Sequence, residues 1–309
     1  MNRVNLVVFK QIAIAGPFII IYWLSMNLEM ILGPPRKRGI NCMDMSIRQP
    51  YVEDTIDWKL LYVIGLDTPI IVIILNELLH LIMEKGKGVR NLKKFFVHLY
   101  LAGMPFLCGF ACERFLKNLL KVSVGRLRPH AYTLCQPISL EGFTCEQLSG
   151  ASVYIAEYTC SGSSHRGSSI YKSFPSGHSS LAFYGLLYLV LYFRRSFEVL
   201  KGNQGFFATL YRPLILVIQL LCLSVAAMVA ISRVFDYKHF WSDVAAGSVL
   251  GATVALAFSY YAEENATEVK RVLEEQSKGN YVECMKEDGK IDGQPEVCAL
   301  QMEEITEVV

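Results

Sequence analysis

Residues 213–262 read PLILVIQLLCLSVAAMVAISRVFDYKHFWSDVAAGSVLGATVALAFSYYA, and the order of their chemistry decides the fold. Two apolar runs, 213–232 and 243–262, each reach the ~20 residues that a helix needs to cross the hydrocarbon of a bilayer. Between them stand Arg233, Asp236, Lys238 and His239, with Asp243 opening the second run. Charged groups are costly in lipid, so this string is a turn at a membrane surface.

Applied outward, the same length criterion finds runs near 11–33, 60–83, 96–119 and, shorter, 178–193, which makes six spans. A hydrophobic share of 52% and a mean hydropathy of +0.32 are high for a soluble chain of 309 residues. The first run is long and no small-residue cleavage site follows it, so it reads as a span and not as a signal peptide. The expected fold is therefore all-α: a polytopic membrane protein with six transmembrane helices forming one domain over 1–262. Residues 263–309 carry thirteen acidic and five basic residues and no long apolar run. They read as a solvated, largely disordered tail, helical through about Lys278.

Two other strings share the polar chemistry of 232–243. KVSVGRLRP, 121–129, follows the third run and supplies Lys121, Arg128 and Pro129; FPSGHSS, 174–180, precedes the fourth and supplies Ser176, Gly177 and His178. Counting spans puts all three strings on one face of the membrane. Three strong cations, two histidines and a carboxylate suit phosphate chemistry, in which catalysis is mostly positioning and charge stabilisation. Guanidinium forks bind phosphate oxygens in pairs, and an ammonium acts as a point charge. Backbone amides at Ser176 and Gly177, just before an apolar run that reads as a helix, are candidates to face the anion. A neutral imidazole can attack phosphorus and a protonated one can protonate the departing alkoxide. The four-residue spacing of His239 and Asp243 puts both on one face of a helical turn, where the carboxylate can orient the ring.

Position by position, these strings resemble the three signature motifs of the type-2 phosphatidic acid phosphatase superfamily. GRLRPHAY, 125–132, and SRVFDYKHFWSDV, 232–244, are similar to its animal lipid phosphate phosphatase (phospholipid phosphatase, wunen-like) branch. The resemblance implies His239 as a nucleophile forming a phosphohistidine, Asp243 as its orienting partner and His178 as general acid. Lys121, Arg128, Ser176, Gly177 and Arg233 would bind phosphate, with no metal or other cofactor. Implied substrates are phosphatidate, lysophosphatidate, ceramide 1-phosphate and sphingosine 1-phosphate, and a homo-oligomer embedded among membrane lipids is expected. Phe240 stands where many close relatives carry a second histidine, which bears on substrate preference. The loop 130–172 lacks the glycosylation sequon common in relatives, and Asn265-Ala266-Thr267 lies beyond the last span.

Alternatives are a non-catalytic relative acting by interaction, a lipid phosphotransferase of the sphingomyelin synthase kind, and a sugar phosphatase. The presence of Lys121, Arg128, His178, Arg233, His239 and Asp243 argues against the first, and the Lys-x6-Arg-Pro string against the second. The animal-type motif contexts favour a lipid over a sugar phosphate. A nucleic-acid partner is not expected, and the terminal Glu307-Val308-Val309 is a candidate ligand for a groove that captures C-terminal carboxylates.

Sidedness follows from basic residues in short loops. Lys85, Lys87, Arg90, Lys93 and Lys94 follow the second run; Arg194, Arg195, Lys201 and Arg212 follow the fourth. Both loops read as cytoplasmic, although the first loop holds Arg36, Lys37, Arg38 and Arg48. The motifs are then extracellular or lumenal, both termini cytoplasmic, and the plasma membrane is the expected location. Cys42, Cys135, Cys145 and Cys160 fall in the two motif-side loops, where oxidation is permitted and three pairings are open. Cys108, Cys112 and Cys222 lie in spans and read as packing residues. Asp67, Asn76, Glu77, His80, Glu113 and Arg114 are expected to face the bundle interior, a partner or the interface, with Asp67 in a helix-packing hydrogen bond. His98 and His165 read as interfacial or loop histidines, and His130 as a neighbour of the site without a chemical task.

Overall fold

The computed structural model describes residues 3–83, 89–148, 153–162, 169–200 and 206–288. Lys85, Lys87, His165, Lys201 and the terminal Glu307-Val308-Val309 lie outside the described residues. The long elements are all helical: α1 (Arg3–Leu32), α2 (Trp58–Tyr62) continuing into α3 (Thr68–Met83), α4 (Val89–Val124), α6 (Gly177–Leu200), α7 (Phe206–Phe235) and α8 (Trp241–Asp288), with a short α5 (Ala131–Cys135). Five segments are long and apolar enough to cross a membrane: Ala15–Leu32, Trp58–Ile82, Phe95–Val124, Pro213–Phe235 and Trp241–Val272. Exposed Ile19, Ile20, Leu216, Val217, Leu220 and Leu221 belong on a lipid-facing surface, because a patch of this kind in water would drive aggregation.

The expected fourth span differs from the other five. Its helix, α6, forms where the run stands but is not among the five apolar segments. The polar first turn and Tyr184, Tyr188 and Tyr192 dilute its apolar run. The reason is its place in the packing: Leu181, Ala182, Tyr184 and Tyr188 are all buried, so α6 faces protein where other helices face lipid. Small residues let its neighbours close in, as in membrane helix packing generally. A methyl on Gly185 would lie 1.9 Å from the Gly65 carbonyl oxygen, and one on Gly251 would lie 2.0 Å from that of Ser180.

Gly65 belongs to a π-helical turn, Val63–Asp67, between α2 and α3. Pro69 stands just beyond it and has no N–H to continue the ladder, which accounts for the widened turn. Thr68 Oγ1 donates to the Val63 carbonyl at 2.7 Å. The extra residue in the turn shifts the helical phase, so Asp67 emerges exposed and the expected packing hydrogen bond is not made. Glu113 agrees with expectation: it is fully buried, 3.1 Å from Lys117 Nζ, and accepts from Ser180 Oγ at 2.6 Å. His98 is not a loop residue but lies in α4, 3.6 Å from Glu77.

By its contacts the chain divides into two compact units, one of Met1–Ile19, Ile70–Cys108 and Ala257–Val309, the other of Ile20–Pro69 and Gly109–Leu256. All three motifs lie in the second. There the loops after α1 and α4 are tied together by β1 (Ile40–Asn41) paired antiparallel with β3 (Tyr154–Ile155), while β2 (Pro137–Ser139) paired antiparallel with β4 (Tyr158–Cys160) folds the loop after α4 on itself. Disulfides Cys42–Cys145 and Cys135–Cys160 resolve the open pairing. Around them pack Ala131, Ile170 and Tyr171, and separately Ile155 with Tyr132 and Val153. In the first unit, α8 continues to Asp288, ten residues or nearly three helical turns past the expected Lys278.

Candidate active site

Motif one begins on the last turn of α4 and is turned by a glycine. Gly125, at φ +59°, ends the helix in the left-handed conformation and donates to the Lys121 carbonyl at 3.3 Å. Any side chain there would collide with Arg36, whose carbonyl oxygen lies 1.9 Å from the position of a methyl. Beyond the turn, Arg128 N–H donates to the Ile170 carbonyl at 2.9 Å and the Arg126 carbonyl accepts from Ser173 N–H at 3.0 Å. Motif one is thereby laid alongside the approach to motif two. Lys121 Nζ donates to the Lys172 carbonyl at 2.9 Å and borders a polar cavity of about 250 Å³ lined also by Ser25, Glu29, Arg114 and Asn118.

Motif two is the N-terminus of α6. Ser176 precedes the first helical residue, and its Oγ accepts from Ser179 Oγ at 2.8 Å and Ser179 N–H at 3.4 Å, as a capping serine does. Its own N–H does not face an anion, contrary to expectation: it donates to the Asp243 carbonyl at 2.9 Å. Gly177 lies against the stems of Lys117 and Lys121, where a methyl would be 3.3 Å from Lys117 Cδ and 3.7 Å from Lys121 Cε. His178 Nε2 is 3.0 Å from the Ile56 carbonyl. A carbonyl only accepts, so Nε2 carries the hydrogen and Nδ1 is left for chemistry.

Motif three closes the site. Arg233 is 1% exposed, with Nη1 2.7 Å from Asp54 Oδ1, Nη2 on Asp236, and Nε donating to Ser232 Oγ at 3.2 Å. Its carbonyl accepts from the N–H groups of both Lys238 and His239, which curls the chain back over it. Tyr237 takes φ +52°, and its carbonyl accepts from His130 Nδ1–H at 2.8 Å, so His130 has a structural task. Phe240 caps α8, and Asp243, three residues in, returns its Oδ2 to the Phe240 N–H at 3.0 Å. Asp243 is completely buried; Oδ2 also accepts from Ser173 Oγ at 2.6 Å and Oδ1 from Arg126 Nη1 at 2.6 Å. His239 precedes the helix and does not share its face. Its Nδ1 stands 3.8 Å from Asp243 Oδ2, an ion-pair distance too long for a hydrogen bond, and has no hydrogen-bond partner.

Burial, reinforced by Arg128 and Lys121 and opposed by Asp243, holds the His239 imidazole well below its ordinary pKa. The ring is therefore neutral at neutral pH. Burial likewise lowers the Arg128 guanidinium, with Asp54 opposing, and pushes His130 down to about 4. Arg128 Nε is buried without a hydrogen-bond partner. Among the described residues no three His, Cys, Asp or Glu side chains gather as a metal site would require.

Sequence reasoning missed the contributions of residues 54–56, which touch three motif positions in succession. Asp54 pairs with Arg233, Thr55 donates from N–H and Oγ1 to Asp236 at 2.9 and 2.6 Å, and Ile56 receives His178. No local signal marks these residues. Arg126 and Ser173 were also missed, although Arg126 lies inside motif one and Ser173 immediately precedes motif two.

Residues 102–266 match the family model described as the PAP2 superfamily. A protein named putative phosphatidate phosphatase from Drosophila melanogaster is 35% identical over 253 residues, which covers 77% of this chain and 64% of the fly protein, slightly under two thirds. Phospholipid phosphatase 1 of Rattus norvegicus is 35% identical over 230 residues, covering 74% of this chain and 76% of its own length. Phospholipid phosphatase 2 of Mus musculus is 33% identical over 225 residues, covering 73% and 76%. No solved structure matches.

Proposed function

The chain belongs to the PAP2 superfamily, and from that premise we propose that it is a multi-pass membrane phosphatase that hydrolyses lipid phosphomonoesters through a phosphohistidine. The observation that carries this reading is a pair of buried nitrogens without hydrogen-bond partners, Arg128 Nε and His239 Nδ1, at one cationic site. Buried polar groups are almost always satisfied, and exceptions concentrate where a ligand or a reaction completes them.

In the first step, neutral His239 attacks phosphorus through Nε2, since Nδ1 faces Asp243. The N–P bond forms as the bond from phosphorus to the lipid oxygen breaks. His178, anchored on Ile56 through Nε2–H, takes the proton of the bound monoanionic phosphate ester at Nδ1 and passes it to the departing alkoxide. In the second step, water attacks phosphorus as the bond from phosphorus to His239 Nε2 breaks, His178 Nδ1 takes the water's proton, and inorganic phosphate leaves. Lys121, Arg128, Arg233 and the Gly177 amide hold the phosphoryl oxygens throughout, and Asp243 offsets the charge that develops on the His239 ring. The names of the relatives favour phosphatidate and other phospholipids as substrates; the motif resemblance adds lysophosphatidate, ceramide 1-phosphate and sphingosine 1-phosphate, and implies that no metal is required. The two disulfides favour an extracellular or lumenal site, and α6 serves as the sixth span. A homo-oligomer in the plasma membrane is the proposed form.

The test is a panel of these lipid phosphates and glucose 6-phosphate on purified protein in detergent with a chelator present. Phosphate should come from the lipids without magnesium. His239→Ala should form no acid-labile phosphoenzyme, whereas His178→Ala should lose about 10²–10⁴-fold on lipid substrates and recover in part on an activated aryl phosphate. Equal rescue of both variants would show the roles to be wrong.

A further inference from the structure

Asp243 holds more contacts than an orienting partner of His239 needs, and none of its side-chain hydrogen bonds comes from His239. The Arg126 guanidinium reaches Oδ1 at 2.6 Å and Ser242 Oγ at 2.7 Å, and it stacks over the Phe240 ring at 4.5 Å from the centroid. Its main chain fixes the second contact, because the Arg126 carbonyl accepts the N–H of the same Ser173 whose Oγ donates to Oδ2 at 2.6 Å. Both the charge and the geometry of the carboxylate are thus set from one residue of motif one.

A buried carboxylate needs a countercharge. His239 cannot supply it in the resting enzyme, because its ring is neutral there and its Nδ1 lies 3.8 Å away. We propose that Arg126 is a positioning residue for the nucleophile: it is the countercharge that keeps Asp243 in place while His239 is uncharged, so that the carboxylate is aimed at the ring when phosphorylation makes the ring cationic. The inference rests on the phosphatase reading. Arg126 needs no contact with the substrate for this role, and its 34% exposed side chain gives the site a polar outer wall. Phe240 acquires a role as the ring over which the guanidinium sits, a place that a histidine ring would fill less well once protonated.

The experiment measures lipid phosphate hydrolysis and inhibition by orthovanadate, a phosphate mimic, for the full chain in detergent. Arg126→Gln should lower kcat by about 10- to 100-fold, the range seen when outer partners of a reacting group are removed, while KM and the vanadate inhibition constant stay within about threefold. Arg126→Lys should regain most of the loss. Should Arg126→Gln not fold, Phe240→Leu carries the test through the stacking contact, with a several-fold fall in kcat and no change in KM. An unchanged kcat, a loss shared by KM and vanadate binding, or a Lys variant as impaired as the Gln variant would overturn the inference while leaving the phosphatase reading intact. A wild-type protein that releases no phosphate from any lipid would overturn both.

Discussion

Gly247→Ala tests the phosphate cradle without touching any charged group. Gly247 lies in α8 one turn beyond Asp243, against the start of α6, and an added methyl would sit 2.4 Å from the Ser176 carbonyl oxygen, 3.2 Å from its carbon and 3.3 Å from its nitrogen. Ordinary contact lies near 3.5 Å, so α8 and Ser176 must part by about 1 Å. The neighbour is backbone and cannot rotate away. The Ser176 N–H is also bonded to the Asp243 carbonyl at 2.9 Å, which resists that motion from the same side. Overpacking of this kind costs about 1–3 kcal/mol, and a shift of about 1 Å in catalytic groups costs on the order of 10²-fold in rate. We expect kcat/KM for a lipid phosphate to fall about 10- to 100-fold with a lowered Tm. Gly103→Ala in α4, where a methyl meets nothing within 4 Å, is the control and should be neutral in both measurements. Gly247→Ala activity within twofold of wild type would refute the reasoning, because it would mean that the site tolerates displacement of Ser176 and Gly177.

Three further outcomes are expected. If neutral His239 is the nucleophile, its burial-lowered pKa places the acid limb of the kcat/KM profile below the ordinary histidine value of about 6.5; a limb at or above that value would remove the assignment. His130, 2% exposed and lowered to about 4, takes its proton in the unfolded state first, so it contributes stability above about pH 6.5 that is lost as pH falls toward 4. At about 1.36 kcal/mol per unit the loss is at most about 3 to 4 kcal/mol, and denaturation of His130→Phe across that window should show a flatter pH dependence than wild type. Serine replacement of Cys42 and Cys145, 103 residues apart, should lower Tm more than replacement of Cys135 and Cys160, 25 apart, since loop-closure entropy gives about 4–5 and about 3–4 kcal/mol respectively; equal losses would point to local packing instead.

The spans were legible because a bilayer imposes a length and a polarity that any 18-residue window can register, as Ala15–Leu32 and Pro213–Phe235 do. α6 was the weakest signal for a physical reason: a helix surrounded by protein has no need of a lipid-facing surface. Asp67 was misplaced because the cost of a carboxylate in hydrocarbon says only that it must find water or a polar partner, and at the end of the π-helical turn before Pro69 it is exposed. The motif residues were legible because phosphate chemistry draws on few side-chain types. Their supports were not, since Asp54 reaches Arg233 across 179 positions and Ser173 reaches Asp243 across 70, and no pattern within a window encodes such contacts. The disulfide pairing was undetermined for the same reason: it depends on which short strands meet.

Asp243 explains how three strings on three helices act as one site. Its backbone carbonyl holds Ser176 of motif two, its Oδ1 holds Arg126 of motif one, and its Oδ2 returns to Phe240 of motif three. It also stands in the first turn of α8, where a carboxylate is favoured by the helix dipole and completes the N-terminal hydrogen bonding whatever the enzyme does. Folding of α8 therefore delivers the carboxylate to its place before any substrate arrives. Because the same atoms cap the helix and join the motifs, Asp243 stays in place despite the resting gap of 3.8 Å to His239. On the proposed mechanism, closing it is left to the event that gives the ring a charge, the transfer of the phosphoryl group.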